Sequence, residues 1–105
     1  MDKEILKRLI EISNCLKKEY HAERVILFGS YAKGEATEDS DVDILVIAPT
    51  KERFFERMAT VLRCVRDIRY GIPLSPIVLR AEEVEERIRR GDQFVEEILE
   101  KGVEL

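Results

Sequence analysis

The sequence predicts an α/β (α+β) fold in which helices pack around a small sheet. Two features predict it. Segments with apolar residues at every third or fourth position alternate with short β-rich runs, in the order helix, strand, strand, helix, strand, helix, helix. One of those runs, Val42 to Ala48, is apolar on both of its alternating faces, as a central strand covered from two sides should be.

Ile5, Leu9, Ile12, Leu16 and Tyr20, widened by Leu6 and Ile10, give residues 2–20 one apolar stripe and predict an amphipathic helix. His21 then belongs to a loop or helix end rather than to a site. Arg24 to Phe28 reads as a strand stopped by Gly29, and Ser30 to Lys33 as a short helical turn ended by Gly34. After the central strand, which Pro49 stops, Phe54, Met58, Val61, Val65 and Ile68 predict a long helix over residues 51–70. Arg53, Arg57, Arg63, Arg66 and Arg69 fall on its other, wet side, and Gly71 and Pro73 close it. Leu74 to Leu79 is a third strand, placed at an edge or a bulge by Pro76. A short helix over Ala81 to Arg90 follows. Asp92 caps another, with Phe94, Val95, Ile98 and Leu99 as its apolar stripe and Gly102 as its end. Val103 to Leu105 either adds a terminal strand or frays.

At 105 residues the chain is expected to be one domain, 1–105, too small to enclose a bulky substrate alone. A partner or a homodimer is the expected way to complete a site, with an exposed helix face or sheet edge available for pairing. The residues are 45% hydrophobic and 38% charged, which places the chain among folded, well-hydrated proteins rather than disordered ones. A net charge of -4 leaves no broad basic field for direct nucleic-acid binding. Cys15 and Cys64 lack the close spacing of a zinc site or a redox pair and read as buried free thiols. The charged start, Met1 to Lys7, is no signal peptide, and no apolar run approaches a bilayer's thickness, so the cytoplasm is the expected location.

The stretch from Val25 to Ile47 carries the chemistry. Asp41 and Asp43 stand two apart at the mouth of the central strand, so their carboxylates point to one face about 7 Å apart along the chain. Two like charges that close call for a cation, and hard oxygen donors suit Mg²⁺ or Mn²⁺, which keeps open positions for water and phosphate oxygens. Gly29 allows a tight turn after a strand, and Ser30 offers a hydroxyl and an amide at the start of a short helix, where a phosphate chain fits. Taken singly, an acidic loop and a Gly-Ser turn are ordinary surface features; their joint spacing is what points to a site. An EF-hand fails because Ile44 and Thr50 stand where glycine and a bidentate glutamate are needed. A P-loop fails because Glu35 stands where lysine is needed. Lys33 is a further candidate near phosphate, weighed against a solvated lysine, and Tyr31 reads as core cover rather than a base-stacking group.

Gly29, Ser30, ten residues, then Asp41, Val42, Asp43 resembles the G-S-x10-D-x-D signature of the nucleotidyltransferase superfamily. The length and the closing segment "VLRAEEV" extend the likeness to the minimal nucleotidyltransferase (MNT) domains of its polymerase-β-like branch. The resemblance implies a nucleotidyltransferase-fold mixed sheet flanked by helices. It implies that Gly29 and Ser30 bind a nucleoside triphosphate and that Asp41 and Asp43 are catalytic ligands of two Mg²⁺ ions. The implied reaction moves a nucleoside monophosphate, commonly AMP from ATP, to a hydroxyl of a protein or small molecule with loss of pyrophosphate. It implies a biological role as well, antitoxin to a HEPN-domain ribonuclease toxin, in some systems by AMP transfer to a tyrosine. One departure stands out: Ser75 falls where the family places a third carboxylate, and serine is neither a good metal ligand nor a base at neutral pH. The alternative is therefore a catalytically impaired module that binds nucleotide and partner and neutralises by contact.

Overall fold

The computed structural model describes residues 2–105. Its elements are α1 (Lys3–Glu19), β1 (Arg24–Phe28), α2 (Ser30–Lys33), β2 (Val42–Ile47), α3 (Phe54–Cys64), β3 (Leu74–Leu79), α4 (Ala81–Arg89), α5 (Gln93–Lys101) and β4 (Val103–Glu104). The strands form one mixed sheet in the order β3-β2-β1-β4, antiparallel at β1–β2 and β1–β4 and parallel at β2–β3. The α/β (α+β) expectation holds, with β2 central and the Pro76-bearing β3 at an edge, where a missing N–H costs no ladder bond on the open side.

Alternation along the strands divides the core into two layers. Val25, Leu27, Val42, Ile44 and Val46 meet Leu9, Ile12 and Leu16 of α1 and Val61 of α3 on one face. Ile26, Leu45, Ile47 and Leu79 meet Val84 of α4 and Val95 and Ile98 of α5 on the other. Covering both faces is what the two-sided apolar pattern of β2 requires. Asp92 caps α5 as the sequence reads, accepting from the Phe94 and Val95 amides, and Asp2 accepts from the Glu4 amide at the head of α1. His21 is exposed in the loop after α1 with φ 60, while Tyr31 packs half-buried against the α1 layer. The chain end is a strand, β4 pairing Val103 with Leu27. Gly102 is required there by space, since a Cβ would lie 2.4 Å from both Ile26 Cγ2 and the Ile98 carbonyl oxygen.

Residues 51–70 differ from the sequence reading in length and in face. The helix is shorter, Phe54–Cys64, because side chains capture the backbone at both ends. Upstream, Thr50 Oγ1 accepts from the Glu52 amide at 3.1 Å and Arg57 Nε donates to the Glu52 carbonyl at 2.9 Å, which holds the chain ahead of Phe54 out of the helix. Downstream, Arg69 donates to the Leu62 carbonyl at 3.0 Å, and Arg8 of α1 donates to the Ile68 and Tyr70 carbonyls. The Leu62 carbonyl is an orphan acceptor of the last turn of α3, and the Ile68 and Tyr70 carbonyls belong to the turns that follow it.

Arg57 is the larger correction. Placed on the wet face by periodicity, it is 4% exposed, while Phe54, Phe55 and Met58 are exposed. Its guanidinium donates to the Glu52 carbonyl at 2.9 Å, the Val78 carbonyl at 3.2 Å and Glu83 Oε1 at 2.7 Å, joining α3, β3 and α4. Burial by itself raises the Glu83 pKa, but the hydrogen bonds from Arg57 and the Arg80 amide, with the Arg57 charge, outweigh it and hold the carboxyl below its usual range.

A carboxyl whose folded-state pKa is depressed contributes stability above its unfolded pKa, near 4.3 for glutamate, and loses that contribution as pH falls through the folded value. Urea unfolding of the wild type should therefore weaken as pH drops below about 4, and Glu83→Gln should flatten that dependence. Glu83→Ala should cost about 3 kcal/mol at neutral pH by leaving a buried guanidinium without its counter-charge. A cost below about 0.5 kcal/mol would show that the pair does not hold the three elements together.

Candidate active site

The site follows from the turn between β1 and β2. Antiparallel pairing sets Phe28 opposite Asp43, and parallel pairing sets Asp43 opposite Ser75, so one row crosses the sheet from β1 through β2 to β3. β1 runs out of that row into Gly29 and α2, while β2 enters it from Asp41. The Gly-Ser turn and the two carboxylates are thus brought together, as their spacing predicts.

Gly29 has φ 75, a region that L side chains rarely adopt, and a Cβ on it would lie 2.4 Å from Asp43 Oδ2. Backbone and carboxylate meet with no room for a side chain. Ser30 begins α2, whose first amides carry no intrahelical acceptor because they open the helix. Gly34, in the left-handed conformation, ends it with amide bonds back to Ser30 and Tyr31. The acidic loop is held by Ser40, whose hydroxyl accepts from the Thr37 amide at 2.8 Å.

Asp41 is exposed and Asp43 half-buried. Among the described residues neither carboxylate has a hydrogen-bond or ion-pair partner within the chain. Burial, and next the charge of Asp41, raise the Asp43 pKa above the ordinary carboxylate value. No third His, Cys, Asp or Glu joins them among the described residues. Two unneutralised carboxylates side by side fit a divalent cation that takes its remaining ligands from water and phosphate oxygens. They do not form a cage of protein ligands alone.

A cavity of about 280 Å³ opens beside this row. Gly29 and Asp43 contribute to its wall, with Phe28 and Ala32 on one side and Phe94 and Ile98 of α5 on the other. Phe94 meets Phe28 edge-on, centroids 5.6 Å apart at 84°. Lys33 reaches Glu97 at 3.9 Å at the rim. The sequence marked Lys33 as a phosphate candidate; here its partner is the carboxylate of α5. The α5 contribution was missed because Phe94 fits an ordinary apolar stripe. Its 50% exposure is visible only when the helix is docked.

The profile of the nucleotidyltransferase domain family matches residues 9–105, spanning both the Gly-Ser turn and the paired aspartates. The chain belongs to the nucleotidyltransferase domain family. A protein of Methanocaldococcus jannaschii named "Putative protein adenylyltransferase" is 34% identical over 98 residues, covering 91% of this chain and 92% of its own. A second of the same name and organism is 35% identical over 96 residues, covering 90% and 88%. A crystal structure titled as a "putative nucleotidyltransferase" from Sulfolobus solfataricus aligns over 82% of each chain with 26% identity and a TM-score of 0.47. Family membership implies a nucleotide substrate, and no helix is long and apolar enough to cross a membrane.

Two outcomes follow from this geometry. Gly34→Ala has open space and should cost only backbone strain, about 1 kcal/mol, whereas Gly29→Ala adds a clash with Asp43 and should cost roughly 2 kcal/mol or more. Equal losses in urea titration would mean that the Asp43 side chain yields freely. Because the raised pKa of Asp43 makes its charged form unfavourable to folding above that pKa, Asp43→Asn should raise Tm at pH 7, with the gain shrinking as the pH is lowered and the wild-type carboxyl protonates.

Proposed function

We propose that this chain, as one minimal nucleotidyltransferase domain, transfers AMP from ATP to a hydroxyl of a protein acceptor. The observation that carries the proposal is the apposition of Gly29 to the Asp43 carboxylate, which supports reading the Gly-Ser turn as a phosphate grip that faces a cation-binding pair. The printed names of the two archaeal relatives support a protein acceptor and an adenylyl group.

In this reading the first amides of α2 and Ser30 Oγ bind the triphosphate, and Asp41 and Asp43 hold Mg²⁺ against it. Bound there, two Mg²⁺ ions would neutralise phosphate oxygens and stabilise the attacking and leaving oxygens of an in-line displacement. The acceptor oxygen forms a bond to the α-phosphorus, the bond to the bridging oxygen breaks, and pyrophosphate leaves with its electrons. The acceptor's proton needs a base. Ser75, beside Asp43 in the sheet, cannot supply one, so water or a carboxylate of the partner takes it. The proposed role is that of antitoxin, modifying a HEPN-type ribonuclease.

A second reading has its own observation. With Ser75 opposite Asp43 and no third carboxylate among the described residues, the chain would bind nucleotide and neutralise its partner by contact without transfer.

Calorimetric titration of ATP with Mg²⁺ should give binding by the wild type and at least about a 100-fold loss in the Asp41→Ala, Asp43→Ala double variant. Equal binding by both would sink the proposed site. With a partner present, loss of ATP-dependent labelling in that variant supports transfer. Full neutralisation by the same variant would leave only the contact reading. Ser75→Asp should raise Mg²⁺-dependent transfer by roughly 10-fold or more if that position faces the reacting hydroxyl.

A further inference from the structure

The face of the sheet opposite Asp43 holds two groups that the proposed chemistry does not use. Leu16 of α1 and Val65, which caps the end of α3, are buried, and the residue before each is a cysteine. Cys15 and Cys64, 49 positions apart, meet at the seam of the two helices with their sulfurs 3.9 Å apart. Cys15 Sγ also lies 3.6 Å from the Cys64 carbonyl oxygen, to which it donates. Sequence spacing gave no sign of a redox pair, and the thiols are half-buried rather than fully enclosed.

We propose that Cys15 and Cys64 are a dithiol that closes to an intramolecular disulfide, tying α1 to α3 by exchange with a low-molecular-weight disulfide such as oxidised glutathione. One thiolate attacks the glutathione disulfide, forming a mixed disulfide and releasing the first glutathione thiolate. The second cysteine then attacks the protein sulfur of that mixed disulfide, forming the Cys15–Cys64 bond and releasing the second. Two protein thiols are oxidised, one disulfide is reduced to two thiols, and the two protons follow the departing sulfurs. Burial, then the hydrogen bond and charge of Cys15, push the Cys64 thiol up to about 11, so Cys15 attacks first. Capping Cys15 removes its hydrogen bond and charge but leaves burial, the larger cause, in place, so attack by Cys64 as the resolving thiol is the slower step. Closure requires the sulfurs to approach from 3.9 Å to about 2.05 Å.

The disulfide leaves the opposite face untouched and constrains a long loop of the unfolded chain. Oxidised protein should therefore show a Tm higher by on the order of 10 °C. The test is to incubate native protein with oxidised glutathione, quench with acid, and map the peptides by mass spectrometry. The expected result is a loss of about 2 Da, one Cys15–Cys64 peptide pair and full reversal by dithiothreitol. Cys64→Ser should stop at one glutathione on Cys15, without the rise in Tm. Two free thiols after native oxidation, stable glutathione adducts on the wild type, intermolecular dimers, or closure only in denaturant would each overturn the proposal. The peptide map of the wild type decides the matter even if a serine variant folds poorly.

Discussion

The structure depends on β2 being buried on both faces while opening with two carboxylates. Ile44, Leu45, Val46 and Ile47 need helices above and below, which places α1 and α3 on one side and α4 and α5 on the other. Burying four such side chains stabilises the fold by roughly 6 to 12 kcal/mol before entropy is counted. That gain holds the mouth of the strand in place, where Asp43 sits half-buried next to Asp41 against its own electrostatic preference. An uncompensated pair of this kind is a local conflict with the rest of the fold, of the sort that marks candidate sites.

The same strand sets the geometry on either side. Pairing with β1 carries the Gly29 turn to the carboxylates, and pairing with β3 carries Ser75 there. Gly29 is a consequence of this closeness: the backbone approaches Asp43 too tightly for any Cβ. The edge strand β4 then brings α5 over the row, so that Phe94 and Phe28 wall the adjacent cavity. Residues from both ends of the chain therefore meet at one end of the sheet.

At the far side of the sheet, charge is used for cohesion instead. Arg57 is almost wholly buried, yet its donors are taken by two backbone carbonyls and the Glu83 carboxylate, so the desolvation of the ion is offset by bonds in three elements. Glu52 does similar work with neutral partners: the Thr60 hydroxyl first, and Tyr20 and Thr50 after it, hold its carboxyl below its usual pKa while burial opposes them. Carboxylates that find donors tie elements together here, in contrast to Asp41 and Asp43, unpartnered among the described residues.

Local pattern in the sequence determined the element order, the central place of β2, the edge place of β3 and the pairing of the Gly-Ser turn with Asp41 and Asp43. Strand alternation, turn chemistry and a short loop are all read within about twenty residues, over which few competing arrangements exist. Tertiary structure alone decided the rest. Arg57 lies inside because Glu83, 26 positions away, meets it there; α3 ends at Cys64, where Arg69 takes the Leu62 carbonyl of its last turn and Arg8 holds the Ile68 carbonyl of the turns that follow; Phe94 reaches the site because β4 draws α5 across the sheet. The face a helix buries depends on the partners it finds, and a partner distant in sequence leaves no periodic trace in the segment it joins.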